Sequence, residues 1–348
     1  MKRIAKITVA LLLAVAMCFS LAGCYDEDLN WSAKYDGTEL PAGAYIYYLS
    51  IAYNEAASKV STEDEVLKSE IDGTPAETWI KNRADEYVNQ YFYIQNEMKR
   101  LGLEMTDEDY STCLQTTESY WNYFGTSFEK FGIAKTSFDI AYSQYNRMYL
   151  KVFNALYGEG GENEVPESEL RQHIEDDYYD YEYFSAPLTK TDDDNKSVDL
   201  TDEEKADLKE TLEKYKTKIE SGAMTVNDAA TDYALKVQQD STYQTGIKDE
   251  NGMQSSYMPD AFISAIKEMN EGDVEVVEST KYMIVLHRLP IKDDEDTLLE
   301  SSDNRSQLLL ELKNTEYADA VSAAAQSFEG VEWNQKVLNR YKPSMFAD

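Results

Sequence analysis

Histidine and cysteine are nearly missing from this sequence, with two and three residues in a chain of 348. Zinc centres need such side chains at close spacing, and His173 and His287 stand far apart without a cysteine beside either. Neither a Ser-His-Asp order nor a paired-carboxylate signature occurs, and Walker loops and dinucleotide fingerprints are absent. Basic residues are scarce as well, 33 Lys+Arg against 66 Asp+Glu, for a net charge of −33. A surface of that sign repels nucleic acid and anionic lipid headgroups, so direct binding to either is excluded as a function. It favours solubility and attracts basic clients or cations. The apolar run from Ile7 to about Leu21 falls short of the roughly 20 residues that a bilayer-spanning helix needs.

What is present makes a core. Hydrophobic residues reach 42 %, with 27 Tyr and 11 Phe, which separates the chain from disordered compositions. The N-terminus has a basic head (Lys2, Arg3, Lys6), the short apolar run, and then Leu21-Ala22-Gly23-Cys24. A charged region, an apolar stretch and small residues before a cleavage point form a secretory signal. The last four residues resemble the bacterial lipobox, which implies cleavage after Gly23 and a lipid on the Cys24 thiol. Residues 1–23 hold three basic and no acidic residues, so their removal takes the net charge from −33 to −36. Cys18 would leave with the signal and Cys24 would carry lipid. Cys113 is then alone, predicted as a small buried residue on a helix, and no intramolecular disulfide is possible.

Residues 24–40 read as a tether, and 41–175 as a helical lobe. Tyr45, Tyr48, Leu49, Ala52 and Tyr53 recur at helical spacing after Pro41, and residues 58–73 read as a loop. Thr74-Pro75-Ala76-Glu77 predicts a capping box ahead of a stripe of Ile80, Ala84, Tyr87, Tyr91, Ile94 and Met98. Further helices are predicted from Thr106 to about Phe124, from Ser127 to Phe131, and from Thr136 to Gly158. From 176 to 292 the period changes. Tyr181–Leu188 reads as a strand and 189–200 as an acidic loop. Helices follow from Thr201 and Val226, then an irregular stretch to Met258, a short helix after Pro259, and strands at 274–278 and 282–288. Residues 293–348 form a closing segment built on a long helix.

That order, helices, then a βααα-ββ block, then a returning helix, resembles the SurA/PrsA group of extracytoplasmic foldases. Three stretches carry the likeness: 127–157 around Phe131-Gly132-Ile133-Ala134, Val165–Phe184, and Phe262–Arg288 with Gly272-Asp273-Val274. The resemblance implies an α+β fold, a SurA/trigger-factor-like helical chaperone lobe with an inserted parvulin-like prolyl isomerase domain. It also implies two histidines facing each other across a prolyl pocket. Here the first position falls at Tyr183, and the second at Tyr282 or, one residue out of register, Met283. His173 is predicted to face solvent, and His287 to lie at the exit of the last strand. Met258 and Phe262 fall where the family sets a Met and a Phe against the proline ring. The implied function is a membrane-anchored extracytoplasmic chaperone that binds unfolded or partly folded secreted polypeptides, with isomerase activity weak or lost and no catalytic residue assigned. No metal or other cofactor is implied. An active isomerase is the alternative, and a cell-wall or solute-binding lipoprotein the third reading. An EF-hand-like count from Asp193 fails at Val198, where the sharp turn needs glycine, leaving a solvated loop.

Overall fold

The computed structural model describes residues 29–60, 63–192, 194–237 and 240–347. The predicted signal, the lipidation position Cys24 and Asp193 lie outside the described residues. The fold is α+β, and it divides into two compact units. One comprises residues up to 162 together with those from 314 onward, and the other residues 163–313.

In the first unit, β1 (Trp31–Tyr35) and β2 (Thr38–Pro41) form a hairpin through Asp36 and Gly37, both with positive φ. The described part of the expected tether is therefore folded, because Ala33 and Leu40 are fully buried. α1 (Ala42–Ser58) buries Tyr45, Tyr48, Leu49 and Ala52 on the predicted face. The expected 58–73 loop ends in a miniature hairpin, where Glu70–Ile71 pairs with Thr74–Pro75. Asp72 and Gly73 turn it at φ +53° and +77°, the two positive values a type I′ turn demands. Thr74 is thereby used as a strand residue. α2 (Ala76–Arg100) starts after Pro75 without the predicted side-chain cap.

The capping box of α3 (Asp107–Lys130) is made by Thr106 and Asp109, and the helix continues through Gly125. The separate helix expected at 127–131 is its last turn. After a helical turn at Lys135–Phe138 the chain forms a π segment, Asp139–Gln144, and continues as α4 (Tyr145–Tyr157). The π segment turns polar side chains toward α3. Thr117 Oγ1 donates to Asp139 Oδ1 at 2.7 Å and lies 2.7 Å from Ser143 Oγ, while Gln144 Nε2 donates to Asp139 Oδ2 at 2.6 Å. Phe138 stacks between Phe128 and Tyr142, at 5.0 and 5.1 Å.

The second unit begins with α5 (Glu167–Asp177) and β3 (Tyr178–Pro187). α5 packs on β3 and on residues 291–300, so it belongs here rather than to the helical lobe that was expected to reach 175. The acidic 189–200 segment is a short hairpin, Thr189–Thr191 with Ser197–Asp199, rather than a loop. Asp192 Oδ1 holds its turn by accepting from Asp194 N (2.9 Å) and Lys196 N (2.8 Å). Next come α6 (Asp202–Glu220), capped by Thr201 and Glu204 as predicted, and α7 (Val226–Val237). The stretch read as irregular contains β4 (Gln244–Asp249) and α8 (Glu250–Ser255). α9 (Asp260–Glu268), β5 (Val274–Glu278), β6 (Tyr282–Leu289) and α10 (Glu295–Glu300) follow.

The sheet is antiparallel in the order β4-β3-β6-β5. Alternation along its strands makes two cores. Phe184, Ala186, Met283 and Val285 meet Leu212 and Tyr215 of α6 and Ala229 and Ala230 of α7. Tyr181, Ile284 and Leu286 meet Phe262, Ile263 and Ile266 of α9 and Met253 of α8.

α11 (Ser302–Gln326) carries the chain back to the first unit, the division falling within it. β7 (Glu332–Trp333) then pairs with β1, Ala33 opposite Trp333, and α12 (Gln335–Arg340) follows. No described helix is long and apolar enough to cross a membrane.

Candidate functional site

Three strands of the second unit set out the candidate site. On β3 the residues that share a face are Tyr181, Tyr183 and Ser185. In the ladder with β4, Gly246 stands opposite Tyr181 and Gln244 opposite Tyr183. A cavity of about 670 Å³ opens on this face, lined chiefly by Tyr181, Tyr183, Met258, Phe262, Tyr282 and Ile284. Its floor is aromatic. The fully buried Phe262 ring meets Tyr181 edge-on at 5.2 Å and 78°, and Tyr183 at 5.2 Å and 70°. Such perpendicular contacts use the positive ring edge against the negative ring face. The Tyr183 hydroxyl points at Met258 Sδ, 3.9 Å away, and burial raises its pKa, so it stays a neutral donor at physiological pH. Gly246 is required for this packing, since a Cβ there would stand 2.8 Å from the Tyr181 hydroxyl oxygen.

The rim is polar and exposed. Thr242 Oγ1 donates to Ser185 O at 2.7 Å and accepts from Ser185 N at 2.9 Å, extending the β4 edge with a side chain. Lys248 donates to Ser256 Oγ. Tyr257 is 94 % exposed and holds a left-handed backbone at φ +56°. A bulky residue in that region costs about 1–2 kcal/mol, and this one is not repaid by burial. Strain held at a cavity mouth is a mark of functional use.

The four predicted pocket residues, Tyr183, Tyr282, Met258 and Phe262, line this one cavity. Met283, the alternative register, is buried on the opposite face among the α6 and α7 side chains. His287 lies on that opposite face too. Its Nδ1 is 2.9 Å from Glu182 Oε1, and Tyr243 donates to Glu182 Oε2 at 2.9 Å. The His287 hydrogen bond is the main reason that Glu182 titrates below its usual range, against the effect of burial. His173, expected to face solvent, is held between Asp177 and Glu311, each at 2.9 Å, with its side chain only 15 % exposed. Cys113 is buried in the first unit. Tyr181, Ile284, Lys248 and Tyr257 were not singled out from sequence. Alternation on the strand could have found Tyr181, two residues before Tyr183, whereas Lys248 sits in a stretch that read as irregular.

A second feature lies in the first unit. α3 buries only Asp109, Cys113, Thr117 and Gly125. On its exposed surface stand Tyr110, Leu114, Tyr120, Tyr123 and Phe124, between 40 % and 83 % exposed. Exposed apolar residues are ordinary singly, but a run of them along one helix marks a surface that meets other molecules.

No family model and no curated protein matches the sequence. Solved structures do. The chain is similar to PrsA foldases. The foldase protein PrsA from Streptococcus pneumoniae aligns at 13 % identity and a TM-score of 0.39, covering 78 % of this chain and 97 % of that one. Foldase protein (PrsA) from Lactococcus lactis aligns at 13 % identity and 0.37, over 91 % and 98 %. PrsA from Bacillus subtilis gives 14 % identity and 0.31, over 80 % and 93 %.

Proposed function

We propose that this chain is an extracytoplasmic chaperone that holds unfolded secreted polypeptides, with a prolyl-binding cavity of parvulin descent whose isomerase activity is weak or lost. The observation that carries the reading is the chemistry of the cavity lining. It offers aromatic and aliphatic surface for a proline ring, neutral hydroxyls for an amide, and no histidine, carboxylate or thiol. Prolyl rotation faces a barrier of about 18–20 kcal/mol set by amide resonance. A site lowers it only by favouring the twisted amide over the planar one. Here Tyr183 is a single donor already turned toward Met258 Sδ. That suits binding of the ground state more than stabilisation of the twisted form.

The exposed aromatic run on α3 supplies a second contact surface for extended apolar segments. Weak contacts at several places on one flexible client combine through effective concentration. Membrane attachment through Cys24 is supported by the Leu21-Ala22-Gly23-Cys24 sequence and follows from the same reading. The acidic surface keeps a loaded complex soluble and draws in basic client segments.

Refolding of a proline-limited model protein in the presence of the purified chain tests this directly. Aggregate yield should fall while the slow-phase rate stays unchanged. Acceleration of the slow phase that disappears in Tyr183→Phe or Met258→Ala would make the cavity an active isomerase. An unchanged yield and an unchanged rate together would defeat the chaperone reading.

A further inference from the structure

The cavity carries a single charge. Among its described lining residues Lys248 is the one Lys, Arg, His, Asp or Glu, the others being aromatic, aliphatic, hydroxyl or amide side chains and one proline. The ladder fixes its direction. Lys248 stands opposite Tyr179 as Gly246 stands opposite Tyr181, and directly opposed residues project to one face of a sheet.

Some lysines of the second unit pair with carboxylates, Lys267 with Glu250, Lys216 with Glu275 and Lys236 with Asp232. Lys248 instead donates to the neutral Ser256 hydroxyl at the cavity rim. Among the described residues no carboxylate pairs with it, so beside an apolar floor a partner's carboxylate would find both a counter-charge and reduced competition from water.

We propose that Lys248 makes the cavity select prolyl segments that carry a carboxylate, from an Asp or Glu next to the proline, over neutral and basic ones. The inference rests on reading the cavity as a prolyl site and adds its charge preference. The net negative charge of the chain does not oppose this. Exposed charges farther away than about 8 Å are largely screened at physiological ionic strength, whereas Lys248 acts in contact.

The test uses three labelled peptides identical except for the residue before proline, Glu, Gln or Lys, titrated into the purified full chain. Glu-Pro should bind roughly three- to tenfold tighter than Gln-Pro, with Lys-Pro weakest. The difference should shrink at about 1 M salt, where the Debye length is about 3 Å. Lys248→Met should erase the preference, so that Glu-Pro and Gln-Pro bind that variant equally, and Lys248→Glu should reverse the order. Equal binding of Glu-Pro and Gln-Pro to the wild-type chain overturns the charge preference while the prolyl site stands. A preference that survives Lys248→Met overturns it equally. If no peptide binds, the prolyl reading fails and the preference with it. Far-UV circular dichroism of both variants confirms that the fold is kept.

Discussion

Asp180 stands on β3 one residue before the floor tyrosine Tyr181, yet points to the other side and is buried with Oδ2 lacking a partner among the described residues. Burial first, and the neighbouring Asp294 carboxyl second, push its pKa up to about 7. An unfolded aspartate titrates near 3.9. The folded state therefore favours the protonated form, and the stability this group contributes is full below about pH 4 and lost as pH rises through about 7. Asp180→Asn removes the ionisation. Its melting temperature should exceed that of the wild type at pH 8 and match it near pH 4, which a pair of thermal melts decides. No sequence signal marks Asp180, because an acid in an acid-rich chain looks like surface. The pocket tyrosines were more legible. The family resemblance pointed to Tyr183 and to Tyr282 or Met283, and strand alternation is why the one-residue shift to Met283 lands on the other side. Lys248 was not legible, since its importance depends on the carboxylate it does not meet.

At the scale of elements, α3 is held to its unit by aromatic packing, Trp121 and Phe128 on Phe138, and by buried polar bonds. Asp109, its side chain 2 % exposed, accepts from Arg147 at 2.5 Å and Lys151 at 2.7 Å. Burial alone would raise its pKa, but Lys151, the Thr106 N–H and Arg147 outweigh burial and hold the carboxyl far below its usual range. The contacts Thr117 makes with Asp139 and Ser143 fasten the middle of the helix. Tyr120 and Phe124 still pack on Tyr142, Phe138 and Phe128, whereas Leu114 and Tyr123 are the most exposed of the set, at 58 % and 83 %. Leu114→Ser with Tyr123→Ser should leave the unfolding free energy within about 0.5 kcal/mol of wild type, as surface changes do. The same double variant should let more client aggregate, measured by light scattering during refolding. Helices with caps and stripes were readable because period and capping chemistry agree. Other elements were not. The Glu70–Pro75 hairpin competes with a helix start for Thr74. β4 is a polar edge strand whose Gly246 serves a neighbour's ring. The π segment, Asp139–Gln144, keeps a helical composition and differs only in which polar groups it turns toward α3.

For the whole molecule the decisive trait is that one unit is continuous in sequence and the other is not. Residues 163–313 contain both cores of the four-stranded sheet, the cavity and its rim. Expressed alone, that segment should fold cooperatively, with a single sharp chemical-denaturation transition and dispersed amide resonances. The segment 29–162 alone should not, because β1 would lack its partner β7 and the returning helix. Every pairing of the four-stranded sheet closes within the first segment, whereas the second needs a pairing across almost the entire chain.

That pairing has a consequence in time. Ala33 faces Trp333, so the first described strand is completed by the last. A polypeptide delivered from its N-terminus releases Trp31 and the α1 tyrosines roughly 280 to 300 residues, and the α2 stripe roughly 240 residues, before the closing strand arrives. Through that interval the cavity-bearing unit can already be built while the opening helices still wait, their rings uncovered. A molecule proposed to guard unfinished chains is thus itself unfinished for most of its own delivery, and its binding surface is ready before its frame is shut.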